Sequence, residues 1–222
     1  MFDTKDIKNN ILEIGERLYK DGFARGISGN ISFRQNGQIF ITATCSCLGE
    51  MSEEKIIILD EEGNQILNQV QDDSCTNIKP SSESMMHVEI YKARPEINSI
   101  IHAHPPYCTA LAVSGETNFP AILAEPVVMF GKSIPVVKYE TPSTLELAKS
   151  VAKFFEGNDA VLMANHGATV CGHDLKETFY KLETLEFYSR VYLFSGLLGK
   201  RSVLPEEKIQ ELLKFRHREA GV

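Results

Sequence analysis

Three histidines occur where the chain could bind a metal ion. His102 and His104 end the apolar run SIIHAH, and side chains two apart on a strand project to the same face. This HxH pattern alone fits two hydrogen-bonded polar residues equally well. His166 also follows an apolar run and precedes Gly167, which suits a tight turn. The three would form an open tripod that suits Zn²⁺ and leaves a coordination position for substrate.

The segment KPSSESMMH offers an anion site beside a proton-transfer group. Ser81 and Ser82 stand at the predicted start of a helix, where hydroxyls and backbone N–H groups could hold a phosphate. An ordinary helix cap explains the same residues. Glu83 could move a proton near a metal-bound substrate, although Glu83 and His87 are also spaced to hydrogen-bond with each other.

Two further loops have short side chains and backbone N–H groups that could face an anion. They are GISGN at 26–30 and ITATC at 41–45. Taken alone, each is more typical of a plain turn.

The elements around these motifs alternate between helix and strand patterns. We predict a β-meander from ISFR, QIFITAT and KIIILD, and strands at NSIIHAH, at Pro135–Tyr139 and at DAVLMA. Helices are predicted from Asp3 or Thr4 to Gly22, from Ser81 to just before Pro95, from Ser143, from about Asp174, and over the final PEEKIQELLKFRHR. Without a linker or repeat, residues 1–222 are expected to form one α/β domain with helices covering a sheet.

The composition narrows the partners and the compartment. The chain has 222 residues and a formal charge of −7, so it should repel nucleic acid. Charged residues interrupt every apolar run, and MFDTKDIKNN is not typical of a signal peptide, so neither a membrane segment nor export is expected. The odd number of cysteines, without CxxC spacing, favours free thiols in the cytoplasm; they are Cys45, Cys47, Cys75, Cys108 and Cys171.

Taken in order, five motifs resemble those of the class II aldolase and adducin family, and most closely its L-fuculose-1-phosphate aldolase branch. They are SGNIS at 28–32, ITATC at 41–45, SSE at 81–83 with a histidine four residues on, HAH at 102–104 and NHG at 165–167. The resemblance covers nearly the whole chain. It implies a three-layer α/β/α sandwich around a mainly antiparallel sheet, and a homotetramer.

The resemblance also assigns roles to individual residues. It implies Zn²⁺ bound by His102, His104 and His166, with Glu83 as the acid/base carboxylate. The residues at phosphate-binding positions are Gly29, Asn30, Thr44, Cys45, Ser81 and Ser82. The implied reaction is retro-aldol cleavage of a ketose 1-phosphate to dihydroxyacetone phosphate and an aldehyde.

The chain departs from the family pattern at three positions. Cys45 stands where the aldolases have glycine, so its turn must tolerate a side chain. Two family tyrosines near the aldehyde end have no match, because Ala124 and Glu125 stand at one position and Arg218 at about the other. Glu125 is a conjectural replacement proton donor.

Three other functions remain open within the same family. A pentulose-phosphate 4-epimerase also breaks a C–C bond, but typically has aspartate where Glu83 follows the two serines. A methylthioribulose-phosphate dehydratase would use the same metal to eliminate water. An adducin-like binding module would lack the zinc histidines, all of which are present here.

Overall fold

The computed structural model describes residues 2–66 and 78–219, with the backbone alone for 217–219; Cys75 lies outside the described residues. In chain order the strands are β1 (Asn30–Gln35), β2 (Gln38–Thr42), β3 (Ile56–Asp60), β4 (Ser99–Ala103), β5 (Asn118–Pro120), β6 (Ser133–Val137), β7 (Ala160–Met163) and β8 (Gly167–Gly172). The helices are α1 (Thr4–Lys20), α2 (Ser84–Ala93), α3 (Pro106–Ala112), α4 (Ala124–Phe130), α5 (Leu145–Phe155), α6 (Leu175–Leu197) and α7 (Glu206–Glu219). Within the described ranges, no helix combines the length and hydrophobicity of a membrane span.

The strands form one sheet in the order β3-β2-β1-β4-β8-β7-β6-β5. Every neighbouring pair is antiparallel except β6 and β7. The predicted meander is confirmed as β1, β2 and β3. The pairing of β1 with β4 sets Asn30 opposite His102, which brings the GISGN loop to the histidine end of the sheet.

Helices cover both faces of the sheet, as the sandwich fold requires. One core cluster joins α1, α3 and α6 to one face, and a second joins α2 and α5 to the other. Successive β4 residues alternate between them, since Ile100 belongs to the second cluster and Ile101 to the first. The predicted α/β/α fold with a mainly antiparallel sheet is confirmed.

Several helix starts follow the predicted capping chemistry. Asp3 accepts a hydrogen bond from the Asp6 amide at the start of α1, and Thr144 accepts one from the Leu147 amide at the start of α5. Asp174 caps α6 in the same way. Helix α2 begins at Ser84, three residues later than predicted, with Glu83 as its N-cap.

A partly buried charge cluster links Asp159 to α6, to α7 and to the end of α2. Asp159 lies 3.1 Å from Arg94 Nη2, 3.3 Å from Lys181 Nζ and 3.5 Å from Arg216 Nη2. Burial alone would raise the pKa of Asp159, but Lys181, Arg94 and Arg216 together lower it below its usual value. The ionised carboxylate therefore stabilises the folded chain.

We expect Asp159→Asn to lower the free energy of unfolding at pH 7 by about 2 kcal/mol, because three cations lose their shared partner. Because the pKa of Asp159 is lower in the folded chain than in the unfolded chain, its ionised form stabilises the folded protein at pH values above the unfolded-state pKa, near 4. This stabilisation is lost as the pH falls through the lower, folded-state pKa. The difference between wild type and variant should therefore shrink below about pH 4. Urea unfolding across that range tests this, with Asp21→Asn at an exposed site as control. A difference that does not depend on pH would contradict the assignment.

Candidate metal and substrate site

The three predicted histidines converge at one end of the sheet. His102 is in β4, His104 follows that strand, and His166 lies in the turn between β7 and β8. One ring nitrogen from each lies within 4.8 Å of the others. The strand and turn positions therefore bring together side chains that are far apart in sequence.

His102 is fully buried and has one ring nitrogen fixed by the neighbouring strand. Its Nδ1 lies 3.0 Å from the Ala168 carbonyl oxygen and 3.1 Å from Thr169 Oγ1. Donation from Nδ1 leaves the Nε2 lone pair facing the other histidines. Burial, with the rings of His104 and His166, lowers the pKa of His102 well below 6.5, so the ring is neutral.

His104 depends on a glycine beside it. A Cβ added at Gly167 would lie 2.5 Å from His104 Cδ2 and 2.6 Å from the Ala103 carbonyl oxygen. Close approach is therefore the reason for glycine here, and the expected tight-turn role is wrong. In that turn the left-handed residue is Asn165, with φ 55°.

Glu83 lies against the histidine cluster. Its Oε2 is 3.3 Å from His102 Nε2, and its Oε1 is 3.4 Å from His166 Nε2. Oε2 also accepts a hydrogen bond from Asn30 Nδ2 at 3.0 Å. Glu83 and His87 do not hydrogen-bond with each other, although their spacing on the helix allowed it. The His87 ring bonds to Asn30 instead.

The donor set fits a divalent cation. Glu83 Oε1, His102 Nε2 and His104 Nε2 are buried and have no hydrogen-bond partner within the described part of the chain. Buried polar atoms without partners are costly in a folded protein, and a cation shared among them would remove that cost. Neutral imidazole nitrogens with a carboxylate nearby are the ligands that zinc and similar metals prefer.

The predicted phosphate-binding residues share a cavity with this cluster. The cavity measures about 210 Å³. Its lining includes Gly29, Asn30, Thr44, Cys45, Ser81, Ser82, Glu83, His104 and His166. Pro142 and Ser143 line it too; Ser143 was predicted only as the start of a helix, and Pro142 was given no role. Two larger cavities, of about 430 and 480 Å³, lie elsewhere and are not lined by these histidines.

Not every expected donor is available to an anion. The Asn30 side chain is bonded to Glu83 and His87, and the amides of Thr44 and Ser81 donate to the backbone oxygens of Lys79 and Thr42. What Thr44 and Ser81 can offer is therefore their hydroxyl groups. Exposed Ser82 completes a cavity wall of short polar side chains.

Two departures from the family pattern have clear local consequences. Cys45 has φ 54°, so this turn holds a side chain in a conformation that favours glycine. At Gly29, with φ 81°, a side chain would be strained and crowded, because a Cβ would lie 3.0 Å from the His102 carbonyl oxygen. Glu125, the suggested replacement proton donor, does not reach the site within one chain. It is exposed at the start of α4 and lines the 480 Å³ cavity. The Arg218 side chain lies outside the described residues.

The residues that hold the site's side chains in place were not predicted from the sequence. Glu186 of α6 accepts hydrogen bonds from the backbone amides of Tyr107 and Cys108, at 2.9 and 2.8 Å, and so fixes the start of α3 just after His104. Thr169 contacts His102 from β8. A buried charge within the long apolar pattern of α6 was the available signal for Glu186.

Comparison with known families agrees with this geometry. Residues 9–193 match the family model described as Class II Aldolase and Adducin N-terminal domain. The chain belongs to the class II aldolase and adducin family. An L-fuculose 1-phosphate aldolase structure superposes with a TM-score of 0.86 at 31% identity, covering 96% of this chain and 97% of that one.

Relatives within the class II aldolase and adducin family carry more than one activity name. The chain is 33% identical over 192 residues to an L-fuculose phosphate aldolase of Methanococcus maripaludis, covering 86% of this chain and 98% of the relative. It is 31% identical over 212 residues to a 3-oxo-tetronate 4-phosphate decarboxylase of Haemophilus influenzae, covering 92% and 95%. Membership supports a lyase, and the substrates in the relatives' names differ.

Proposed function

We propose that the protein is a zinc-dependent aldolase that cleaves a small ketose 1-phosphate, similar to L-fuculose 1-phosphate, into dihydroxyacetone phosphate and an aldehyde. One observation carries the proposal: His104, His166 and Glu83 lie on the wall of the cavity that Thr44, Ser81 and Ser82 also line, and fully buried His102 has a ring nitrogen within 4.8 Å of those of the other two histidines. A sugar phosphate needs both parts, one at its reacting carbons and one at its phosphate.

The chemistry assigned to the chain follows from these positions. The hydroxyls of Thr44, Ser81 and Ser82 hold the phosphate, and this fixes the reacting carbons relative to Glu83. Breaking the C3–C4 bond leaves negative charge on the phosphate-bearing half, and a bound divalent cation supplies the Lewis-acid stabilisation of that charge. The C4 hydroxyl loses its proton as its oxygen becomes the aldehyde carbonyl. Glu83 takes that proton and gives it to the carbanion carbon, and in the direction of condensation it removes a proton from that carbon.

His102, His104 and His166 are the proposed metal residues. The neutral state of buried His102 supports this assignment, because a protonated ring could not donate its lone pair. The identity of the metal as zinc is part of the proposal.

A phosphorylated 3-oxo acid is the second candidate substrate. The 31% identity to a decarboxylase across 92% of the chain favours it. Loss of carbon dioxide and retro-aldol cleavage both leave negative charge beside a carbonyl, so the same residues could serve either reaction. The two differ in the product that is released.

The test is a substrate panel with a single readout for each reaction. Zinc-loaded protein is incubated with several ketose 1-phosphates, with the corresponding unphosphorylated ketoses, and with a 3-oxo acid phosphate. We expect dihydroxyacetone phosphate from at least one ketose 1-phosphate and much slower cleavage of its unphosphorylated form. Carbon dioxide release without any dihydroxyacetone phosphate would favour the decarboxylase, and no turnover at all would favour a binding module.

The expected homotetramer has support on the surface of α6. Phe187, Phe194, Leu197 and Leu198 are 56%, 49%, 81% and 91% exposed. An apolar stripe of this kind is typical of an interface between protein chains. Assembly as a homotetramer, a cytoplasmic location and a single domain over residues 1–222 stay predictions.

A further inference from the structure

A chain of buried hydrogen bonds runs from Glu83 away from the cavity. Asn30 Nδ2 lies 3.0 Å from Glu83 Oε2, and Asn30 Oδ1 lies 2.5 Å from His87 Nε2. His87 Nδ1 then lies 2.6 Å from Ser32 Oγ, which is 2.8 Å from the Tyr91 hydroxyl. Asn30, Ser32, His87 and Tyr91 are each at most 4% exposed. Solvent therefore does not compete for these bonds.

Each donor in the chain is determined by the next group. Asn30 Nδ2 donates to Glu83 Oε2, so the oxygen of the same amide faces His87. That oxygen requires an N–H on His87 Nε2. Burial lowers the pKa of His87 to about 3, so the ring is neutral and has one proton.

With that proton on Nε2, Nδ1 must accept, and the Ser32 hydroxyl is its donor. Ser32 then accepts from Tyr91, whose other contact, to the Asn98 carbonyl oxygen, is longer at 3.3 Å. All four bonds therefore donate toward the carboxylate. Hydrogen bonds aligned in one direction polarise one another, which strengthens the last of them.

We propose that His87 is a positioning residue, which acts through Asn30 to hold Glu83 Oε2 and so aims Oε1 at the histidine cluster. This rests on the proposed role of Glu83 in proton transfer. The opposite tautomer of His87 would turn the Asn30 oxygen toward Glu83 Oε2, where two acceptors would repel each other. The Nε2–H tautomer therefore favours the Asn30 orientation that donates to Glu83 Oε2 and holds the carboxylate in place.

The first test reads the tautomer without using activity. Nitrogen-15 NMR of the full chain labelled in histidine, with and without zinc, should show His87 as a neutral ring protonated at Nε2 and bare at Nδ1. The signal is assigned by its loss in His87→Gln. A ring protonated at Nδ1, or an averaged mixture of tautomers, would overturn the proposal whether or not the protein is an aldolase.

The second test uses variants matched in chemistry. His87→Leu removes the donor to Asn30, and we expect kcat to fall about 10- to 100-fold with KM and zinc content little changed, as for other residues that orient a functional group. His87→Gln can still place an N–H near the Nε2 position and should recover most of kcat.

Ser32→Ala should lower kcat by a smaller factor than His87→Leu, since it removes only the hydroxyl that fixes the tautomer. The matched control is Ser99→Ala, at a fully buried serine of the adjacent strand β4 whose hydroxyl has no partner among the described residues. Equal losses in His87→Leu and His87→Gln, or a loss in Ser99→Ala as large as in Ser32→Ala, would show a purely structural role. If wild type cleaves nothing in the panel, the proposed function fails while the NMR result still decides the tautomer.

Discussion

Replacing Glu83 by glutamine is expected to lower kcat by about 10²- to 10⁴-fold, the usual contribution of general acid–base catalysis. Glutamine has nearly the same shape, and its oxygen can still accept from Asn30 Nδ2, so the fold should persist. It cannot take a proton from carbon. Since the three imidazoles are untouched, the zinc content should stay at the wild-type level.

The Glu83→Gln result needs a measurement of both turnover and metal. Release of dihydroxyacetone phosphate gives kcat, and mass spectrometry of the dialysed protein gives the metal per chain. Glu89→Gln, the same change in the same helix at a residue that contacts Lys92, is the control and should leave both values unchanged. Full turnover in Glu83→Gln would remove this residue from its proposed role.

Replacing His104 by alanine is the second change with a large expected effect. The change removes one of the three proposed metal ligands. Losing a residue that only orients a ligand lowers metal affinity by up to about 100-fold, so we expect the loss of a ligand itself to lower it by more than about 100-fold. Turnover should disappear in step with the metal. His104 is only partly buried beside the cavity, so the loss of its ring should leave the sheet intact.

Titration of metal-free protein with zinc measures the affinity of the His104→Ala variant directly. His173→Ala is the matched control, since His173 lines the 480 Å³ cavity and is not part of the tripod. If both His104→Ala and His173→Ala bound zinc as tightly as the wild type, His104 would not be a ligand.

Sequence patterns predicted the helices and strands that have clear periodicity and capping residues. They missed those that form because of tertiary packing. The meander, α1, α5 and α6 follow from periodicity and capping residues. Strand β8 was missed because GATVCG has glycine at both ends and a short mixed pattern, and it becomes a strand through its pairing with β4 and β7. Helix α3 was missed because Pro105 and Pro106 indicated a turn, although proline is also common in a first helical turn. Helix α4 was not predicted either.

The same contrast between local pattern and tertiary packing holds for the residues of the site. The kind of residue and its place at a strand end were enough to predict that three histidines would meet. The partners of the Asn30 side chain were not predictable in this way. They depend on the pairing of β1 with β4 and on the packing of α2 over the sheet, which bring Glu83 and His87 to the same amide. Sequence patterns therefore predicted the reacting groups better than the residues that hold them.

The most direct test of the account is the dependence of turnover on bound zinc. Protein stripped of metal by a chelator is titrated with Zn²⁺ while the release of dihydroxyacetone phosphate from a cleaved ketose 1-phosphate is followed. We predict negligible turnover without metal and a linear rise that saturates at one zinc ion per chain. Full turnover by the metal-free protein would contradict it.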